Sequence, residues 1–246
     1  AQCRACGGSL QEVLSLGALR FNAFPADVQE IAQIGTVPHI LAVCTRCSLV
    51  QLTHTVPPDW LYREYWYRSS VNESMVEELR TVVRAARAQV DLTAEDKVLD
   101  VGANDGTLLS MYEEIPEDER PQRLAVEPAL NLQHALARHC EVQVSEYFPT
   151  DALDHLHGRI KIITAIAMCY DLERPLDFFL KIRYLLHDEG VAVIQFQDLE
   201  QMIEAAAFDN ICVEHLEYYT LGSLLSLVES AGLEVGAVPF ATIATL

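Results

Sequence analysis

Through the later three-fifths of the chain, short apolar runs alternate with segments whose apolar positions recur every three or four residues, the pattern of strands interleaved with helices. Val98, Leu99 and Val101 form a run suited to a central parallel strand. A turn bracketed by Gly102 and Gly106 follows, where backbone can approach a ligand, and Leu108 and Leu109 open a helix whose N–H groups would face that ligand. The next strand, 124–127, ends in Glu127 and leads into a helix through Leu136, after which Val142 and Val144 mark a third strand. Residues 160–167 are apolar enough for a strand buried on both faces. Pro175 opens a helix over 176–186, and Gly190 leads into a strand over 191–196. A helix near 199–207, a segment at 210–219, a helix over 221–231 closed by Gly232 and a strand at 233–238 complete the series. Upstream, Met75, Val76, Leu79, Val82, Val83 and Ala86 predict a helix over 72–90, with Ser70-Val71-Asn72-Glu73 as its capping box. Strands separated by helices, with a glycine turn after the first, specify an α/β fold with an open, doubly wound sheet.

The first 60 residues follow a different pattern. Cys3-Arg4-Ala5-Cys6 opens this segment and Cys44-Thr45-Arg46-Cys47 closes it, two knuckles able to give four thiolates to one tetrahedral ion. Four thiolates complete a structural zinc site and leave no open position for catalysis; unmetallated thiols or a redox pair are the other readings. His39 and His54 are weaker ligand candidates. The long gap between knuckles predicts strands around Leu14, Leu16, Phe21 and Phe24, and 50–52 reads as the strand leaving the second knuckle. Pro57 and Pro58 mark a break before Trp60, Tyr62, Tyr65, Trp66 and Tyr67, aromatics that read as the seat of a small domain on a large one, or as a ligand platform. The expected division is a zinc-binding segment over 1–60, an aromatic link and helix over 61–92, and a ligand-binding core over 93–246.

Composition narrows the partners. Half of the 246 residues are apolar, enough for one large domain with an appendage, and 17 Lys plus Arg against 36 Asp plus Glu give a formal charge of −19. That charge argues against nucleic acid or an anionic membrane as partner. With no signal-like segment and no apolar run near the roughly 20 residues that cross a bilayer, a cytoplasmic protein is expected. Seven cysteines in a reducing compartment then read as metal ligands or chemistry rather than disulfides. The sequence carries no signature of oligomeric state. Glu127 changes the picture most: it ends its strand about 20 residues after the glycine turn, where doubly wound folds place a carboxylate to accept hydrogen bonds from ribose hydroxyls.

The stretch Val98-Leu99-Asp100-Val101-Gly102-Ala103-Asn104-Asp105-Gly106-Thr107-Leu108-Leu109 resembles the S-adenosylmethionine-binding motif of class I methyltransferases, with Asn and Asp where dinucleotide enzymes carry glycine and a small residue. The wider arrangement is similar to the sugar C-methyltransferases of deoxysugar pathways, which join a four-cysteine zinc segment to a Rossmann-like core. The resemblance takes in both knuckles, Leu49-Val50-Gln51-Leu52, Tyr65 through Ser70, the motif, Glu214-His215 and Tyr219-Thr220-Leu221. It implies S-adenosylmethionine as cofactor beside structural zinc. Asp100, Gly102, Asn104 and Asp105 would line its methionine and ribose part, Glu127 would hold the ribose, and Glu146, Tyr147 and Phe148 would border the adenine.

It further implies carbon methylation beside a keto group of a small natural-product or sugar-like acceptor. His215 would be the base, Glu214 would orient or tune it, and Tyr67 would donate near the sugar. The chain departs from that pattern in three places. Cys212 and Val213 stand where a Tyr and an Asp or His usually precede the Glu-His pair, Asp171 stands where the loop after the fourth strand usually carries a histidine, and the sequence stops at 246, where relatives continue into a C-terminal domain. Cys212 reads as a buried small residue rather than a nucleophile. The last departure describes a shortened relative or a truncated piece. O- or N-methylation of another metabolite, and an inactive cofactor-binding scaffold, are the alternative functions.

Overall fold

The structure is a computed structural model and describes residues 1–20, 27–29 and 34–236. Phe21 and Phe24, and the end of the strand expected at 233–238, lie outside the described residues; 233–236 are not strand. Strands β1 (Leu10–Arg20), β2 (Thr36–Cys44) and β3 (Val50–Leu52) form an antiparallel meander through the two cysteine turns. Helix α1 (Asp59–Tyr62) is a single turn after the proline pair, and α2 (Glu73–Arg87) buries Leu79, Val83 and Ala86, one helical stripe.

The cap of α2 differs from expectation. Asn72, not Ser70, is the N-cap, its side chain accepting the Ser74 N–H, because Ser69–Val71 are wound into a 3₁₀ turn and the Ser70 N–H donates to Asp105 Oδ2 at 3.1 Å. A tertiary partner has taken the group that a capping box would use.

The core alternates as the sequence pattern predicts: β4 (Lys97–Val101), α3 (Thr107–Ser110), β5 (Gln122–Val126), α4 (Gln133–Leu136), β6 (Val142–Val144), β7 (Ile160–Ile166), α5 (Pro175–Leu185), β8 (Leu186–Gln195), α6 (Leu199–Glu204), β9 (Glu217–Tyr218) and α7 (Leu221–Ser230). Five of these strands make a parallel sheet in the order β6-β5-β4-β7-β8. The strand β8 starts earlier than expected, at Leu186, which pairs with Ile160 across a register shift. Successive residues of a strand face opposite sides, so Leu99, Val101, Ile163 and Ala165 pack with Phe178, Phe179 and Ile182 of α5, while Val98, Ala125 and Ile162 pack with α2 and α3. Chain order reverses between β4 and β7, and ligands of such sheets bind beyond the carboxyl ends of the strands at that point.

The N-terminal meander is built into this core. Its fourth strand is β9, which pairs antiparallel with β3 through Val50 opposite Tyr218 and Gln51 opposite Glu217. Cys3, Cys44 and Leu49 belong to the same buried cluster as α5 and α7. Among the described residues no helix is long and apolar enough to cross a membrane.

Gly106, with φ of +85°, is the tightest point of the turn: a Cβ there would stand 3.0 Å from His139 Cβ and 3.2 Å from Leu136 Cδ1. Gly106→Ala is expected to cost about 1–3 kcal/mol in urea unfolding. Gly158→Ala has a similar backbone, with φ of +64°, but meets nothing within 4 Å. Equal losses for the two variants would show that contact at the turn is not what Gly106 provides.

Candidate active site and zinc centre

The four knuckle cysteines converge. Cys3 Sγ lies 3.6 Å from Cys47 Sγ and Cys6 Sγ 3.5 Å from Cys44 Sγ, and all four sulfurs lie within 4.8 Å of one another. Zinc–sulfur bonds of about 2.3 Å in a tetrahedron put neighbouring sulfurs about 3.8 Å apart, so the donor set fits zinc. Backbone shapes the cradle: a Cβ at Gly8 would come within 3.0 Å of Cys44 Sγ. Burial works against the Cys44 thiolate, yet the N–H groups of Cys47 and Arg46, 3.5 and 3.4 Å from its sulfur, hold its pKa down at about 6. All seven cysteines are free of disulfides. His39 and His54 stand outside this cluster, stacked on each other at 4.8 Å with their Nδ1 atoms on the carbonyls of Val37 and Pro38.

Beyond β4 the chain makes the turn that the glycines foreshadow. Gly102 and Ala103 donate to the Val126 carbonyl at 2.9 and 3.2 Å, binding the turn to the end of β5. Glu127, buried there, accepts the Asn104 N–H on Oε2 and the Ala129 N–H on Oε1, both at 2.8 Å. Asp100 is buried within the sheet, accepts the Thr164 hydroxyl at 2.6 Å, and is pushed up to about 7 by burial. The Asn104 amide ties in a third segment, accepting the Ser69 N–H and donating to the Tyr67 carbonyl. Asp105 accepts from Thr107 as well as Ser70, so the first N–H of the short helix α3 already has a partner. Asn104 and Asp105 thus hold the turn and the linking segment together.

The three residues expected around an adenine separate. Tyr147 donates to Asp59 Oδ1 at 2.8 Å, with its hydroxyl held above the usual range by burial and then by Asp59. Glu146 is exposed and accepts the Thr150 hydroxyl. Phe148 turns inward, edge-on to Phe178 in the core, where its apolar ring is better solvated by other side chains than by water.

Across the turn lies a polar cluster that sequence reading reached only in part. Met168, after β7, covers Gly102, whose added Cβ would meet Met168 Cγ at 3.3 Å. The same loop continues to Tyr170 and Asp171. The His215 ring stands edge-on to Tyr170 at 4.8 Å, and its Nδ1 lies 2.8 Å from the Asn210 carbonyl. Asn210 and Tyr170 both contact the His215 ring; Glu214, expected to orient or tune it, is the buried residue next to it in the chain and acts by charge on Asp171, Tyr62 and Tyr65. Burial drives the Asp171 carboxyl well up, His215 pulls it down, and Glu214 and Cys212 push it further up. Tyr62 faces Asp171, although neither its hydroxyl nor Asp171 Oδ1 completes a hydrogen bond.

Tyr65 senses Glu214, Asp171 and Cys212 on one side and Glu127 on the other, so it spans both halves of the site. Tyr67 is raised by burial and by Asp105, which sets it on the turn side. Tyr62 and Tyr65, which the sequence offers as packing or a platform, and Tyr170, to which it gives no role, join this cluster, and the three-residue spacing of Tyr62 and Tyr65 is the local signal that they share a direction. Trp60 and Trp66 instead lie 66% and 58% exposed, so the aromatic run is divided between site and surface.

A family described as a methyltransferase domain matches residues 71–238, the strands and turn just described. The chain belongs to this methyltransferase family. A zinc-binding domain family matches residues 3–62, the segment with the four converging sulfurs. The chain is 28% identical over 243 residues, 95% of its length, to the C-methyltransferase NovU of Streptomyces niveus, and spans 56% of that protein. Among solved structures it is similar, with a TM-score of 0.54 and 12% identity, to a chain of the complex between the Haloferax volcanii Trm112 methyltransferase activator and a methyltransferase; 68% of this chain and 74% of that one are covered. A possible histamine N-methyltransferase of Thermotoga maritima aligns with a TM-score of 0.50 and 12% identity over 65% of this chain and 74% of its own. These structural likenesses show the fold.

The methyltransferase fold uses S-adenosylmethionine, and the donor chemistry here fits it. A carboxylate offers about four acceptor positions and Glu127 has used two on backbone, leaving capacity for a ribose diol.

Two measurements test the zinc site and the protonation of Asp100. Metal analysis is expected to find one zinc per four-cysteine site, lost in Cys44→Ser, with the melting temperature lowered by more than about 5 °C; wild-type protein refolded with zinc yet metal-free would defeat the site. Asp100 stays protonated in the folded chain between its ordinary 3.8 and about 7, whereas the unfolded chain has lost that proton. The folded state binds more protons in that window, so stability falls as pH rises through it, at about 1.4 kcal/mol per pH unit. Between pH 5 and 7, urea unfolding should show wild type losing about 2–3 kcal/mol that Asp100→Asn retains. Parallel pH profiles would mean that Asp100 ionises normally.

Proposed function

We propose that this chain is an S-adenosylmethionine-dependent methyltransferase that methylates a carbon beside a keto group on a small natural-product or deoxysugar-like acceptor, with His215 as base. One observation carries the reading: the Asn210 carbonyl, which can only accept, lies 2.8 Å from His215 Nδ1. In the neutral ring Nδ1 therefore keeps the hydrogen and Nε2 is the basic atom. The C-methyltransferase name of the relative NovU, similar along nearly all of this chain, supports carbon as the acceptor atom.

Bound S-adenosylmethionine supplies an electrophilic methyl group. The protein's part is to hold that cofactor and to make the acceptor carbon nucleophilic. We assign Glu127 to the ribose and Asp100, Gly102, Asn104 and Asp105 to the shape and charge of the turn beside it. Tyr147 borders the adenine, with Glu146 beside it and Phe148 behind it in the core. On the acceptor side His215 Nε2 takes the proton from the carbon, and the electron pair left behind moves onto the keto oxygen. Asp171, kept neutral by burial, and the hydroxyls of Tyr62, Tyr65 and Tyr67 are donors for that oxygen. Glu214 stabilises the imidazolium that forms.

Incubation of the protein and labelled cofactor with candidate keto-sugars in deuterated water tests the base. His215→Ala is expected to slow exchange at the carbon beside the ketone by roughly 10²–10⁴-fold while binding of S-adenosylhomocysteine is kept. Exchange unaffected by the substitution would remove His215 from the role. Label transfer without exchange would point to oxygen or nitrogen as the acceptor, and cofactor binding with no transfer to any candidate would leave a scaffold.

A further inference from the structure

Arg4 lies between two zinc ligands, and its side chain, 7% exposed, turns away from the metal. Its main-chain N–H donates to Gln51 Oε1 at 3.0 Å. The guanidinium donates to Thr55 Oγ1 at 3.1 Å, to the Leu52 carbonyl at 3.3 Å and to the His54 carbonyl. These bonds fix it against the second half of β3 and the residues that follow it. One guanidinium nitrogen is left without a partner: Nε makes no hydrogen bond and lies 3.7 Å from Glu217 Oε1, on a side chain with no exposure.

Glu217 is half of the two-residue strand β9, and it follows His215 by two positions. Neither of its carboxylate oxygens completes a hydrogen bond. Burial drives this carboxyl well above its usual range, Arg4 pulls it down, Asp171 pushes it up, and the Leu172 N–H adds a smaller downward pull. The backbone around it is shared between two parts of the fold: Leu216 and Glu217 N–H both donate to the Tyr170 carbonyl at 2.8 and 2.9 Å, and Leu52 N–H donates to the Leu216 carbonyl at 2.9 Å. With two ladder pairs and these few backbone bonds holding it, the strand's place also depends on what its buried side chain meets.

We propose that Arg4 is a positioning residue for the acceptor side of the site: the zinc-bound turn presents its guanidinium to Glu217, and that contact sets the strand into which the His215 segment leads. The proposal rests on reading 210–219 as the acceptor side, and it makes the zinc segment part of the active site's geometry rather than a separate appendage. Loss of Arg4 leaves Glu217 buried without the cationic partner that Arg4 provides, and with Asp171 still acting on it. Glu217 must then take up a proton or draw β9 toward water, and either change frees the His215 segment.

Hydrogen exchange on the zinc-loaded chain, followed by mass spectrometry, reads this without an acceptor and so answers whether or not the methyl-transfer reading holds. In Arg4→Met, amides of Leu216 and Glu217 are expected to exchange about tenfold faster or more, with β4 unchanged. The His215 ring resonances should shift, while zinc content and affinity for S-adenosylhomocysteine stay within about twofold. Adding Glu217→Gln to that variant should restore slow exchange, because the uncompensated acid is gone, and Arg4→Lys should restore part of it. Slow exchange persisting in Arg4→Met, loss of zinc from it, equal acceleration in β4, or no recovery in the double variant would each overturn the proposal.

Discussion

The amide of Asn104 is the fixed point of this structure. Its N–H reaches Glu127 at the end of β5, its side-chain oxygen accepts the Ser69 N–H, and its side-chain nitrogen donates to the Tyr67 carbonyl. The backbone there is left-handed, with φ of +51°, which asparagine tolerates better than most residues. One residue thus joins the strand-end carboxylate, the glycine turn and the linking segment. Tyr62, Tyr65 and Tyr67 lie at or just before that tether, so their hydroxyls depend on the same point as the cofactor turn.

On the far side of the turn the Tyr170 carbonyl has the matching role. It receives two N–H groups from the His215 segment, while its own loop covers Gly102 through Met168. A sheet whose order reverses between β4 and β7 leaves a crevice between those strands, and here one wall is the Asn104 knot and the other is the Tyr170 loop. The zinc segment joins the second wall because β3 pairs with β9. The four-cysteine site and the proposed reaction site are therefore connected through a strand.

Local pattern carried much of this into the sequence and non-local pairing did not. The strand at Val98 to Val101 is an apolar run ended by glycine, and Glu127 is legible from its register with that turn, because both depend on neighbours along the chain. Paired cysteines are legible for the same reason. By contrast β9 is two residues long and has no periodicity to detect; it exists because β3 offers an edge. Ser70 lost its capping role to Asp105, and Phe148 turned from the expected pocket into the core, since both were decided by partners distant in sequence. The early start of β8 hid behind His187, Asp188 and Glu189, whose polarity reads as a turn while Leu186 pairs with Ile160.

Buried carboxyls explain how an acidic protein can present two different chemistries across one cleft. Asp100, Glu127, Asp171 and Glu217 are all pushed upward by burial, in a chain whose formal charge is already −19. Four such groups do not all ionise together without a compensating charge. Arg4 supplies one for Glu217, and His215 acts on Asp171 in the same direction. Among the described residues, Glu127 is eased by two backbone N–H groups and forms no ion pair. A ligand carrying its own positive charge completes that side of the cleft, as the sulfonium of S-adenosylmethionine would in the proposed function. On the other side Glu214 and Cys212 oppose ionisation of Asp171, which leaves it a proton to donate. In the proposed function the same burial would favour a cationic methyl donor at one wall and a hydrogen-bond donor for an acceptor's oxygen at the other, and the difference is set by which charges stand next to each acid.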